Sequence, residues 1–183
     1  MKQIFISIAF TSLMAGSILA GPQGAYKSQQ QRIAQGVKSG QLTPRETANL
    51  EGKERAINGE VRADRRANDG TLTAGERAQV NAQHQNLSKQ IYIDKHNAAR
   101  DHFGNSEVGR REERQQQRIA NGVQTGKLNA NETANLENRE AGVQHEIQTD
   151  RAYNGGRLTP GERRTVNQQQ NGLNNRIYRD KHN

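Results

Sequence analysis

The residues from 29 to 97 are repeated from 115 to 183 without a gap, and this internal duplication constrains the fold more than any other feature. The two copies agree at 37 of 69 positions. Each copy opens with QQQRIA and closes with IY, one variable residue and DKHN. Self-similarity of this kind indicates that one structural unit is used twice. The unit is therefore interpreted before any individual motif.

A short phrase occurs twice in each copy, at residues 40–46, 70–76, 126–132 and 156–162. It begins with glycine, which ends helices because it adopts the left-handed conformation without a Cβ penalty. It continues with Thr or Asn followed three residues later by Glu, the pattern of a capping box. Pro44 and Pro160 fall at the first helical position, where no N–H donor is needed. The phrase predicts that one helix ends, the chain turns and the next helix begins. The predicted capping residues are Thr43, Glu46, Thr73, Glu76, Asn129, Glu132, Thr159 and Glu162.

Between the phrases, apolar residues recur at steps of seven and four, as at Leu50, Ile57 and Val61. The same steps relate Val80, Leu87 and Ile91; Leu136, Val143 and Ile147; and Val166, Leu173 and Ile177. This spacing places three side chains on one narrow face of a helix, and strand alternation occurs nowhere. We predict helices at 27–38, 44–68, 74–102, 107–124, 130–154 and 160–181.

These helices predict an all-α fold made of two tandem copies of a three-helix unit. Each unit is a short helix followed by a long antiparallel helical hairpin, because short turns make successive helices antiparallel neighbours. The narrow apolar stripe favours packing like that of a coiled coil. With 31% hydrophobic and 25% charged residues, the core of one unit is thin. We expect packing between the units, or self-association, to add to stability.

The first twenty residues have the features of a secretory signal peptide: Lys2, an apolar uncharged run from 4 to 14, and small residues before Ala20. We therefore predict an exported protein, periplasmic or secreted. The predicted units then occupy residues 21–97 and 115–183, joined by a linker or helix extension at 98–114. The chain has no cysteine, which excludes disulfides, thiolate metal sites and cysteine nucleophiles.

Calcium is one candidate ligand, because Asp69, Gly70, Leu72 and Glu76 fit the second half of an EF-hand loop. The positions of the leading ligands, however, hold Arg65 and Ala67. Helix capping explains the same residues without a metal. We therefore predict no metal site, and a degenerate calcium-binding loop remains an alternative.

No catalytic motif is present. The sequence has no nucleophile elbow, no HExxH and no glycine-rich phosphate loop after a strand. Glu112 and Glu113 are adjacent, so on a helix they point apart, and both are interpreted as solvated charges. We predict neither an enzyme nor a cofactor.

Positive charge is the remaining functional signal, with a formal net charge of +8. Basic residues group at two places, and the candidate contacts to a polyanion are Arg62, Arg65, Arg66, Arg110, Arg111 and Arg114. Such groups bind phosphate-rich surfaces. Nucleic acid is disfavoured, because no aromatic residues are interleaved to stack on bases. An acidic envelope polymer or a protein client is the expected partner, and the alternative is a basic helix surface that only keeps the protein soluble.

The LTPRE, LTAGE and LTPGE segments resemble a group of bacterial exported proteins with paired helix–LTxxE–helix repeats. They are also similar to the periplasmic LTxxQ stress proteins, which are small, helical and basic and include an ATP-independent chaperone and a signalling inhibitor. Here Glu46, Glu76 and Glu162 stand in place of the Gln of that motif, and Asn129 replaces Thr. The sequence thus predicts a non-enzymatic binding or structural module of the cell envelope. A chaperone-like stress protein is the first alternative, and homo-oligomers fit either role.

Overall fold

A computed structural model describes the backbone of residues 22–183 and the side chains from residue 27 onward. Within that range the chain forms six α-helices and no strand. They are α1 (Pro22–Lys38), α2 (Pro44–Ala67), α3 (Ala74–His96), α4 (Glu107–Gln124), α5 (Ala130–Tyr153) and α6 (Pro160–Asp180). The all-α fold class is confirmed. The predicted signal peptide, residues 1–20, lies outside the described residues.

The predicted extension of the third helix to residue 102 is wrong, because α3 ends at His96. Asn97 has an extended backbone, with φ −76° and ψ 180°. Its side-chain amide donates to Glu46 at 2.6 Å, and its side-chain oxygen accepts from the N–H of Ala99 at 2.9 Å. These bonds hold the chain in a non-helical conformation from this point, and α4 then begins at Glu107.

The four turn phrases all form capping boxes. In the first, the N–H of Thr43 donates to Glu46 Oε2 at 2.9 Å, and the N–H of Glu46 donates to Thr43 Oγ1 at 3.3 Å. The same reciprocal pair starts α3, α5 and α6. The glycines that open the phrases have φ between 67° and 88°, the left-handed region that disfavours side chains with a Cβ. In each turn, the left-handed glycine thus ends one helix and the capping box starts the next.

Inside each unit, the apolar stripes of the hairpin pack against the short helix. In the first unit, Leu50, Val80 and Ile91 form one buried cluster with Ile33 and Val37 of α1. In the second unit, residues of α4 join the hairpin in the same way, and the cluster contains Ile119, Val123, Leu128, Leu136, Leu173 and Ile177.

The two units also pack against each other, α1 on α4 and α2 on α5. Ala120 of the second unit belongs to the apolar cluster of the first, and Ala34 of the first unit belongs to that of the second. Arg55 in the middle of α2 donates to Asn131 at the start of α5 at 2.9 Å, which is a hydrogen bond between the two units. Each unit therefore completes the core of the other.

Candidate functional site

Six carboxyl groups meet where the two units pack together. We call them the carboxyl core: Glu51 and Glu54 on α2, Asp101 in the connection between the units, Glu112 on α4, and Glu137 and Glu140 on α5. The four glutamates of α2 and α5 have no exposed surface. They occupy equivalent places in the two copies of the sequence TANLE-x-x-E.

Neutral amides are the partners of these carboxyls. Gln30 Nε2 donates to Glu51 Oε2 at 3.0 Å, and Gln116 Nε2 donates to Glu137 Oε2 at 2.9 Å. Among the described residues, 13 buried side-chain atoms lack a hydrogen-bond partner, and all of them are oxygens. A core that is rich in acceptors and short of donors is better satisfied when its carboxyls keep their protons, because a neutral carboxyl donates its O–H.

Burial favours the same protonated state. Burial is the main cause that raises the pKa of Glu51 to about 8 and that of Glu137 to about 8. The hydrogen bonds from Gln30 and Gln116 oppose the rise, and a neighbouring carboxylate adds to it. Burial also raises the pKa of Glu54 and of Glu112 to about 7. The formal net charge of +8 counts every carboxyl as ionised. Protonation of the buried glutamates makes the net charge at pH 7 more positive than this value.

The interpretation of Glu112 as a solvated charge is wrong, because its side chain is buried while Glu113 is exposed. The burial of Glu54 could have been predicted from its spacing in the sequence. Glu54 lies four residues after Leu50 and three before Ile57, so it occupies the apolar face of α2. Because only apolar residues were used to define that face, Glu54 was not predicted to be buried.

The carboxylates at the helix corners already have donors. Glu76 accepts from the N–H of Thr73 at 2.7 Å and from the side-chain amide of Asn68 at 2.8 and 2.9 Å. Glu162 accepts equivalent bonds from Thr159 and Asn154. The bond from the backbone of Thr73 is the main cause that lowers the pKa of Glu76. Among the side chains that the structure describes, from residue 27 onward, no three acidic or histidine groups are arranged so that they could hold a metal ion.

The predicted polyanion contacts lie on two helices. Arg62, Arg65 and Arg66 are in the last turns of α2, and Arg62 and Arg66 are exposed. On α4, Arg110 and Arg114 are exposed as well.

Arg111 differs, because it lies half-buried and donates to Asn167 at 3.2 Å and to Asn171 on α6. Its charge is thus held in place by neutral amides.

Two further basic clusters were missed. In the first unit, Arg32 donates to the hydroxyl of Ser88 at 2.5 Å and to its carbonyl at 3.1 Å. Burial, followed by the charge of Arg32, lowers the pKa of Lys95. Their equivalents in the second unit, Arg118 and Lys181, are in direct contact. The sequence signal is weak, because the two residues are far apart in the chain.

The second unit repeats this cluster at the equivalent residues. Arg118 donates to Asn174 at 2.7 Å, and Lys181 Nζ donates to the carbonyl of Arg118 at 3.2 Å. Burial, then the charges of Arg118 and Lys127, lower the pKa of Lys181. We call Arg32 with Lys95, and Arg118 with Lys181, the basic pairs.

An exposed tyrosine accompanies each basic pair. Tyr92 stacks on His96 with ring centroids 4.1 Å apart, and Tyr178 stacks on His182 at 4.2 Å. In the first unit, Arg32, Lys89 and Tyr92 line one open groove of about 800 Å³. The tertiary structure therefore places an aromatic ring beside the basic residues, which the sequence analysis did not expect.

Few basic side chains are neutralised within the protein. In the part of the chain that the structure describes, the one ion pair joins Arg176 Nε to Asp180 at 2.9 Å. The basic pairs instead contact hydroxyl, amide and carbonyl oxygens, so their charges remain available to an external anion. None of the described helices is long and apolar enough to span a membrane.

No protein-family model matches the chain, and neither curated proteins nor solved structures include a match.

Proposed function

We propose that the protein is an exported, non-enzymatic helical-repeat protein that acts in the cell envelope as a binding module for an acidic polymer. The observation that carries this proposal is the basic pair, present once in each unit and in direct contact in the second, with no carboxylate partner among the described residues. Holding like charges together is unfavourable, and a bound phosphate or carboxylate removes that repulsion. Protonation of the most deeply buried members of the carboxyl core adds to the attraction, because it removes negative charge from the molecule.

The duplication suits a polymer with repeated charges. Two equivalent sites on one molecule can bind successive anionic groups of the same chain, so a modest affinity at each site yields a higher overall affinity. Exposed charge pairs are screened by salt, and binding should therefore weaken as ionic strength rises.

The test measures binding of long-chain polyphosphate and of poly-glutamate by isothermal titration calorimetry at low salt. Lys95→Gln with Lys181→Gln removes one charge from each basic pair. The control, Lys27→Gln with Lys38→Gln, removes two charges from exposed lysines outside the pairs. We expect the first variant to bind about tenfold more weakly and the control to bind nearly as well as the parent protein.

Equal losses in both variants would show that only net charge matters and would contradict a site at the basic pairs. If neither polymer binds at low salt, the proposed function is wrong.

A further inference from the structure

Each unit carries a groove on its long hairpin, and the two grooves use equivalent positions. The groove of the first unit lies between α2 and α3, with Ile57 and Leu87 at its base. The groove of the second unit lies between α5 and α6, with Val143 and Leu173 in the same places. We call the latter the α5–α6 groove. Neither contains the basic pairs, so this is a separate surface.

The α5–α6 groove is the larger of the two, at about 530 Å³ against about 350 Å³. Gly142 and Gly172 line it where the first unit has Ala56 and Asn86. A Cβ added at either glycine would meet nothing within 4 Å, so packing does not require glycine here. Glycine inside a helix costs about 1 kcal/mol relative to alanine. The two glycines therefore lower helix stability, and because they have no side chain they leave space in this groove.

The basic residues of the groove lie at one end and its acidic residue lies at the other. At one end lie Arg139, Arg176 and Arg179, of which Arg176 is paired with Asp180. At the other end Gln169 Nε2 donates to Glu146 at 2.7 Å. From Arg139 to Glu146 the helix advances by two turns, about 10 Å. The first unit repeats this order, with Lys53 at one end and Glu60 at the other.

We propose that the α5–α6 groove binds an amphipathic helix of a protein partner. A helix lying between two antiparallel helices presents side chains three, four and seven residues apart on one face. An acidic side chain binds Arg139 and Arg179, and an apolar side chain three or four residues away covers Val143 and Leu173. A basic side chain seven residues from the acid binds Glu146. The partner is thus a protein segment, in addition to the acidic polymer proposed for the basic pairs.

The probe is a synthetic helical peptide of about fifteen residues with Glu, Leu and Lys at this spacing. A control peptide has the same composition, with the three residues placed on different faces. Binding is followed by NMR with the ¹⁵N-labelled protein. We expect the first peptide to shift resonances of α5 and α6, and the control peptide to leave them unchanged.

Two variants locate the site. Gly142→Leu with Gly172→Leu fills the groove, and we expect peptide affinity to fall at least about tenfold. Gly59→Leu, at an α2 glycine that also has free space and lines neither groove, should bind like the parent protein. If the filled variant does not fold by circular dichroism, Arg139→Glu with Arg179→Glu serves instead and should lose the same affinity.

Undiminished binding to the altered grooves, or shifts confined to other helices, would overturn the proposal. So would a peptide that does not bind at millimolar concentration. Binding of anionic vesicles that is lost when the groove is filled, without peptide binding, would assign the groove to an amphiphile and contradict a helix. Polyphosphate binding should persist in the filled variant, so failure of this proposal leaves the proposed function to its own test.

Discussion

Replacing Glu137 by Gln should stabilise the protein at neutral pH. Glu137 is fully buried, and the groups that influence its charge are Gln116, Asp101 and Glu51, none of which is basic. Glutamine has the shape of a protonated glutamate but cannot ionise. Its oxygen can still accept from Gln116, and its amide supplies a donor where Gln116 Oε1 has none.

The magnitude follows from the shift of the pKa of Glu137 from 4.5 to about 8. Between these pH values the folded protein keeps a proton that the unfolded chain has lost. The stability associated with this group is therefore complete below pH 4.5 and falls as the pH rises towards 8. The loss is about 1.4 kcal/mol per pH unit, or about 4 kcal/mol at pH 7.5. The glutamine variant avoids this loss, so it should exceed the parent protein by about 4 kcal/mol at pH 7.5 and match it near pH 4.5.

Urea unfolding followed by circular dichroism at several pH values between 4.5 and 8 measures this difference. The matched control is Glu113→Gln, an exposed position on α4, which should leave the pH profile unchanged. Parallel profiles for the parent protein and Glu137→Gln would refute the reasoning. A variant that is less stable at every pH would also refute it, because Glu137 would then act as an ionised hydrogen-bond acceptor.

Three further predictions concern the fold, each measured by chemical or thermal unfolding. Gly36→Ala should destabilise by about 1–3 kcal/mol, since its Cβ would lie 2.6 Å from Leu42 Cδ1, whereas Gly59→Ala, with free space, should stabilise by up to about 1 kcal/mol. Leu136→Ala leaves a cavity in the second core and should cost about 2–5 kcal/mol; a loss below 1 kcal/mol would contradict its burial. Thr159→Ala removes the side-chain oxygen that caps α6 and should cost about 1 kcal/mol, with serine restoring most of it.

The turns between the helices of each unit could be predicted from the sequence, because their conformation depends on residues that are close together in the chain. In each turn, glycine adopts the left-handed conformation that ends one helix. The side chains of Thr or Asn and of the Glu three residues after it then accept hydrogen bonds from the free backbone N–H groups that start the next helix. This is why the starts of α2, α3, α5 and α6 agreed with prediction. The end of α3 did not, because Asn97 is held by Glu46, which is distant in the chain.

The sequence by itself determined the helices, their corners and the apolar face of each hairpin, because these follow from backbone hydrogen bonding and the helical repeat. Only the tertiary structure decided that α2 lies against α5, which buries four glutamates and raises their pKa values. It also decided that Arg32 lies near Lys95, and that Gly142 and Gly172 border an open groove. The physical reason is that burial and charge coupling depend on distances between segments far apart in the chain, and no local pattern records those distances.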